Sequence, residues 1–141
     1  LFREEIFMNM TIDLLLKNDV SKLKRPTKDI EITRLSELYG EPFVVTCQAL
    51  TPSEFNELQE SISINVEGNI ELDNNIQVLT ILKGTKDPDF KSKELMDHFG
   101  VPTPKDLVQK IFLSGEISSI YTTITDLSGF GKDSVKEIKN S

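Results

Sequence analysis

The chain has 141 residues, of which 38% are hydrophobic and 28% are charged, a composition typical of one globular domain with its own core. Its net charge of −7 argues against a nucleic-acid-binding protein, and no apolar run is long enough for a membrane span. The lone cysteine, Cys47, excludes an intrachain disulfide and indicates a reducing compartment.

The first ten residues stand apart from the predicted domain. Residues 3–5, Arg-Glu-Glu, can be encoded by a purine-rich run that is like a bacterial ribosome-binding site. Two methionines, Met8 and Met10, follow them. We therefore expect residues 1–10 to be a non-native leader or a flexible N-terminus. The alternative is a real N-terminal helix, for which the weak periodicity rests on Phe2, Ile6 and Phe7.

The predicted domain covers residues 11–130. Thr11 is expected to cap a short helix that ends near Asn18. A basic linker over residues 19–27 follows, since Pro26 disfavours helix just before it.

Two stretches show the alternation of strands. Lys28–Leu35 places Ile30 and Ile32 on one face, and Pro42–Leu50 places Phe43, Val45 and Cys47 on one face. With a turn predicted between them at residues 36–41, they indicate an antiparallel hairpin that must pack on helices. Cys47 is expected to face the core as a small hydrophobic residue rather than as a reactive thiol.

Two helices are predicted after the hairpin. Thr51-Pro52-Ser53-Glu54 is a capping box with proline at the first helical position, and an apolar stripe of Phe55, Leu58 and Ile62 follows. A loop at residues 66–70 leads to a helix that Asp73 or Asn74 caps and Gly84 ends. Its broad stripe predicts a central, well-buried helix: Leu72, Ile76, Val78, Leu79, Ile81 and Leu82.

Residues 86–130 predict three further helices, each with its own start signal. Ser92, Thr103 and Ser114 are the predicted N-caps, and Gly100 ends the first of the three helices. The last helix has the clearest periodicity in the chain, with Gly129 expected just past its end and Phe130 folding back. Residues 131–141 are predicted to be a flexible tail, with a loose helix through Val135 and Ile138 as the alternative. The prediction is an α+β fold, mostly α-helical, with about five or six helices and one antiparallel β-hairpin.

The charges are unevenly placed along the chain. Residues 20–34 are rich in lysine and arginine, whereas residues 51–82 contain neither and carry six acidic residues. The simpler interpretation is a solvated acidic face. The alternative is a docking face for a basic partner, which would bind in a salt-sensitive way.

The sequence offers no constellation for catalysis or cofactor binding. One cysteine and one histidine, His98, do not make a zinc site, and no glycine-rich phosphate loop is present. The helix predicted over residues 115–128 has no lysine, arginine, asparagine or glutamine with which to read DNA. The residues therefore predict neither an enzyme nor a metal or cofactor site.

Two blocks of sequence form a recognisable pattern. The first, residues 40–60, is a turn, a strand with Pro42-Phe43 and an acidic capped helix. The second contains Asp87-Pro88-Asp89-Phe90-Lys91, then Phe99-Gly100, then the helix start Leu113-Ser114-Gly115-Glu116-Ile117. Together they resemble the XkdN-like tail assembly chaperones of PBSX-type prophages and related tailed phages. Asp87, Asp89 and Ser114 depart from the glutamate, asparagine and proline usual in that family.

The resemblance implies an assembly function without catalysis. Such a chaperone binds the tape measure protein, helps to recruit tail tube protein around it, acts in the bacterial host cytoplasm and is absent from the mature virion. The alternative is a structural tail or baseplate component that stays in the particle. The chain is compatible with a homo-oligomer, and neither nucleic acid nor membrane is an expected partner.

The expected contact surface is an acidic helical face with apolar grooves that holds an amphipathic helical client. Core packing is the competing interpretation for each apolar residue taken singly. The candidate protein-binding residues are Glu54, Phe55, Glu57, Leu58, Phe90, Leu95 and Phe99.

Overall fold

The computed structural model describes the backbone of residues 2–64 and 72–138 and the side chains of residues 10–61 and 76–138. Within these ranges the chain forms seven α-helices and one three-stranded antiparallel sheet, so the α+β class is confirmed, but the predicted number of five or six helices is too low. The helices are α1 Phe2–Lys17, α2 Thr33–Tyr39, α3 Pro52–Ile64, α4 Leu72–Gly84, α5 Lys93–Phe99, α6 Pro104–Ile111 and α7 Ser114–Thr125. The strands are β1 Thr27–Glu31, β2 Val44–Gln48 and β3 Thr85–Asp87, in the spatial order β1-β2-β3.

The predicted hairpin is wrong about the segment that joins its two strands. β1 and β2 do pair antiparallel, from Thr27 opposite Gln48 to Glu31 opposite Val44, but helix α2 joins them instead of a turn. The alternation that indicated a strand through Leu35 holds only to Ile32. Ile32 and Leu35 are both buried, three residues apart, which is the spacing of a helix face. Gly40 (φ +73°) then ends α2 in the left-handed conformation that glycine adopts most readily.

The third strand, β3, was missed by the sequence prediction. Its three residues are too few to show an alternating pattern, and they follow α4 without a loop. β3 pairs with β2 in register Thr46 to Asp87 and Cys47 to Thr85, with a bulge between Thr46 and Cys47. β2 is therefore the central strand, and Cys47 is fully buried as predicted.

Three of the predicted helix caps are confirmed. The Glu54 N–H donates to Thr51 Oγ1 (3.1 Å) and the Thr51 N–H donates to Glu54 Oε1 (2.9 Å), which is the reciprocal capping box. Ser92 and Thr103 cap α5 and α6 in the same way with their hydroxyl oxygens. The N-terminal signals of these helices are therefore local, and the sequence alone shows them.

The cap predicted for α7 is wrong by one residue. Leu113 takes the N-cap position and Ser114 is the first helical residue. The reason is Glu116, whose carboxylate accepts the N–H of Leu113 (2.8 Å) from three residues further on. A side chain inside the helix thus replaces the cap expected from Ser114.

The core lies between the sheet and a pair of packed helices, α4 and α7. Val78 and Ile81 of α4 and Ile120 and Ile124 of α7 are fully buried, so α4 is central as predicted. Gly84 lies against Ile124, which allows the two helices to approach closely at that point. The buried cluster comprises Ile32, Leu35, Val45, Cys47, Leu50, Leu58, Val78, Ile81, Phe90, Leu107, Val108, Phe112, Ile120 and Ile124.

Helix α1 differs from the short helix predicted at the N-terminus. It extends from Phe2 to Lys17, so Thr11 lies inside it and is not its N-cap. Every described side chain of α1, from Met10 to Lys17, is exposed. The apolar ones therefore do not belong to the buried core cluster.

The end of α7 follows the sequence prediction. A π-helical turn, Asp126–Phe130, contains Gly129 at φ +96°, and the Phe130 ring folds back onto Phe55. Residues 131–138 contain no helix, so the alternative of a helix through Val135 and Ile138 is wrong. The predicted loop at residues 66–70 and the side chains of Ile62, Leu72, Asp73 and Asn74 lie outside the described residues.

Candidate functional site

The structure divides the candidate residues of α3 into buried and accessible ones. Leu58 is 4% exposed and belongs to the core, so it offers a partner almost no surface. Phe55 is half-buried at the rim of the same helix, while Glu54 and Glu57 reach solvent. The apolar stripe of α3 therefore points inward at Leu58 and outward at Phe55.

Phe55 forms one wall of a surface groove where α3 meets the end of α7. The Phe55 and Phe130 rings are stacked at a tilt, with centroids 5.1 Å apart. Two hollows of about 160 and 270 Å³ share this pair of rings, and we call them together the Phe55 groove. Its other lining side chains are Leu50, Thr51, Pro52, Leu58, Gln59, Ile76, Thr80, Tyr121, Thr125 and Ser128.

Ser128 fixes the geometry of the Phe55 groove. The Leu50 N–H donates to Ser128 Oγ (2.8 Å), and the Ser128 hydroxyl donates to the carbonyl of Ile124 (2.7 Å). These two hydrogen bonds tie Leu50, two residues before α3, to the end of α7. The groove is therefore held by residues 78 positions apart in the chain, which no local sequence signal could show.

The acidic side chains of α3 are partly engaged within the chain. Arg25 forms an ion pair with Glu54 (2.9 Å), and Lys83 forms one with Glu57 (2.8 Å). The hydrogen bond from Lys83 lowers the pKa of the Glu57 carboxyl. The two ion pairs compensate the charges of Glu54 and Glu57, which weakens the acidic face predicted from the sequence. Glu60 on the same helix is exposed, and the remaining acids of that face, Glu67, Glu71 and Asp73, lie outside the described side chains.

The three candidate residues in and just before α5 are buried or half-buried. Phe90 is 3% exposed and meets the Phe112 ring edge-on (centroids 5.7 Å apart), so it cannot contact a partner in this fold. Leu95 and Phe99 are half-buried and pack against the core. None of the three lines either of the two hollows that make up the Phe55 groove. The sequence thus grouped residues that the structure keeps apart.

A larger groove, of about 520 Å³, lies between β1 and α7, and the sequence prediction missed it. One wall is the end of β1 with the start of α2, and the other is a face of α7 on which Gly115, Ser119 and Thr123 are one turn apart. The Arg34 guanidinium makes two hydrogen bonds to the Glu116 carboxylate (2.9 and 3.0 Å) beside it. We call this hollow the β1–α7 groove.

The described residues offer no grouping for metal chemistry. Within them, no three His, Cys, Asp or Glu side chains lie close enough together to hold a metal ion. Burial raises the pKa of the Cys47 thiol to about 11, which makes it a poor nucleophile at neutral pH. His98 packs edge-on against Phe99. None of the described helices combines the length and the apolar character needed to cross a bilayer.

Comparison with known proteins identifies one family and one similar structure. A family model described as "Phage XkdN-like tail assembly chaperone protein, TAC" matches residues 12–139. The crystal structure of the protein YqbN is similar in fold, with a TM-score of 0.63 over 77% of this chain and 88% of that chain. At 16% sequence identity, this likeness concerns the fold alone. No curated protein matches the chain.

Proposed function

Because the chain belongs to the XkdN-like phage tail assembly chaperones, whose family model covers residues 12–139, we propose that it binds the tape measure protein and assists assembly of the tail tube. The family has an assembly role and not a catalytic one. The proposed partners are the tape measure protein and the tail tube protein. The proposed place of action is the cytoplasm of the bacterial host, and the proposed chaperone leaves before the virion is complete.

The Phe55 groove is the surface that best suits a helical client. Aromatic side chains commonly anchor interfaces, and here the two rings of Phe55 and Phe130 stand at the mouth of an apolar hollow. Phe130 is 60% exposed, a large apolar area for a surface ring. An amphipathic helix could place its apolar residues between these rings. The observation that supports this proposal most directly is the contact between the exposed Phe130 ring and the half-buried Phe55 ring in a chain of this family.

Co-expression with the tape measure gene tests the proposed function. We expect the wild-type chain to keep the client soluble and to co-purify with it. The Phe130→Ala variant should bind the client about tenfold more weakly, because it removes one wall of the groove, as measured by calorimetry with a client fragment. If the client is equally soluble without the chaperone and nothing co-purifies, the proposed function is wrong.

Tyr39→Ala is the matched control for this experiment. Tyr39 is 55% exposed and, like Phe130, contacts one other ring, that of Phe43. It lies on α2 and does not line the Phe55 groove. A loss of affinity as large in Tyr39→Ala as in Phe130→Ala would place the client elsewhere.

Proteomics of purified phage particles separates the chaperone from a structural tail or baseplate component. A chaperone should be absent from intact particles although it is abundant in the infected or induced cell. Its recovery at a fixed ratio to the tail proteins would favour the structural alternative.

A further inference from the structure

The sheet ends at β1 in an edge that is open within the described part of the chain. The Ile32 N–H donates to the Phe43 carbonyl and the Ala49 N–H donates to the Pro26 carbonyl, so even-numbered residues of this segment bond to β2. In an antiparallel pair the backbone groups alternate in direction. The N–H and C=O groups of Thr27, Asp29 and Glu31 therefore point away from β2, and all three residues are exposed.

The β1–α7 groove lies beside this edge and has room for side chains. Ile30 and Ile32 lie on the core face of β1 and form the apolar part of the groove. Across from them, α7 presents Gly115, Ser119 and Thr123 to the hollow. A fourth strand beside β1 would thus find its core-facing side chains opposite small residues, in a volume of about 520 Å³.

We propose that this edge and the β1–α7 groove together bind an extended segment of a partner protein as a fourth strand. Backbone hydrogen bonds to Thr27, Asp29 and Glu31 would hold the strand, and the groove would take its alternate apolar side chains. The surface is separate from the Phe55 groove, and the proposal holds whether or not the tape measure protein is the client there.

Charge identifies the chemistry of the partner strand. Asp29 and Glu31 lie on the solvent face of β1, where Asp29 accepts a hydrogen bond from Thr46 Oγ1 (2.7 Å). Residues directly opposite one another on a sheet attract when their charges differ and repel when they are alike. The partner segment therefore carries basic residues at the positions facing Asp29 and Glu31 and apolar residues at the positions between them.

The same charges disfavour a second copy as the occupant. Two β1 strands paired symmetrically about Asp29 would place the two Asp29 carboxylates directly opposite one another. Acidic residues on an exposed edge are a common protection against self-association. A partner strand that alternates basic and apolar residues fits the edge, whereas the β1 strand of a second copy does not.

Amide hydrogen exchange in the full chain tests the proposal. The probe is a short synthetic peptide that alternates valine with lysine, and the control peptide alternates valine with glutamate. With the lysine peptide, we expect slowed exchange at the Thr27, Asp29 and Glu31 amides and no change at Lys28 and Ile30, which already bond to β2. Two results would overturn the proposal: no protection of the three outward amides by the lysine peptide, or equal protection by the glutamate peptide.

Two variants of α7 distinguish the groove from the rest of the surface. Ser119→Phe fills the β1–α7 groove and should weaken binding of the lysine peptide by at least about tenfold. Ser118→Phe adds the same ring at the neighbouring exposed position, which does not line the groove, and should bind as the wild type does. Equal binding by the two variants would contradict the assignment, as would protection of the outward amides that rises with protein concentration alone.

Discussion

At the scale of single residues, burial decides the chemistry of Cys47. Its side chain is fully buried on the central strand, and desolvation raises its pKa to about 11, above the value of 9.0 for a free thiol. The thiol is therefore a core group, as the sequence predicted. The position of one side chain on β2 explains why a lone cysteine brings no reactivity here.

We expect the Cys47 thiol of the folded protein to resist alkylation at pH 8, because the thiolate is scarce and covered. Mass spectrometry after iodoacetamide treatment should show slow labelling in buffer and rapid labelling in denaturant. Since the folded pKa is raised, stability should fall as the pH rises from about 9, the free-thiol value, through about 11. Rapid labelling without denaturant would show that Cys47 is accessible.

The Glu116 carboxylate makes two interactions at once, an ion pair with Arg34 and a hydrogen bond that caps α7. It accepts two hydrogen bonds from Arg34 and one from the Leu113 N–H, while Arg34 also donates to the Ile111 carbonyl (2.8 Å). The hydrogen bonds from Arg34 lower the pKa of the Glu116 carboxyl. One residue thus caps α7 and ties it to α2.

Glu116→Ala should destabilise the protein by roughly 1 kcal/mol, mainly through the lost cap, since the ion pair is partly exposed. Glu116→Gln should cost less because its amide oxygen can still accept the Leu113 N–H. Urea unfolding monitored by circular dichroism measures both. A lowered carboxyl pKa stabilises the fold above the unfolded value of 4.5, so this contribution should disappear as the pH falls below it. An equal loss in the two variants would contradict the capping role.

At the scale of elements, the packing of α4 on α7 depends on a glycine. A methyl group at residue 84 would lie 2.5 Å from Ile124 Cγ2, closer than real side chains approach. Ile124 is fully buried, so it has little room to move. The contact joins residues that are 40 positions apart, and only the tertiary structure shows it.

Gly84→Ala should destabilise the protein by about 1–3 kcal/mol, because overpacking forces Ile124 out of its rotamer. Gly115→Ala is the control with the opposite sign. Nothing lies within 4 Å of its added methyl group, and alanine favours helix over glycine by up to about 1 kcal/mol. Thermal unfolding measures both variants. A Gly84→Ala protein as stable as the wild type would show that the two helices can separate at little cost.

At the scale of the whole molecule, α1 stands outside the packed body. Its described side chains are exposed, including Leu15 at 69% and Leu16 at 78%. None of them belongs to the core cluster. The body therefore owes little of its stability to the described side chains of this helix, Met10 to Lys17.

Removal of residues 1–17 should leave the free energy of unfolding unchanged within about 0.5 kcal/mol, because the described side chains of α1, Met10 to Lys17, are all exposed. The truncated chain should also be less prone to self-association, since a large exposed apolar surface goes with the helix. Chemical unfolding and light scattering measure the two effects. A marked drop in stability would show that α1 packs on the body in solution.

The sequence by itself determined the features that depend on near neighbours. The capping box of Thr51 and Glu54, the caps at Ser92 and Thr103 and the turn at Gly129 were all predicted. So were the buried stripe of α4, the inward direction of Cys47 and the family resemblance. These signals come from interactions between residues a few positions apart, which a short stretch of sequence records.

The tertiary structure alone decided the features made by distant residues. It placed Leu58 and Phe90 inside, paired Glu54 with Arg25, and formed both grooves from segments far apart in the chain. It also turned the end of a predicted strand into α2 and added β3 to the sheet. The physical reason is that accessibility, ion pairing and strand partnership depend on which elements meet in space, and an apolar residue looks the same in sequence whether it faces the core or a partner.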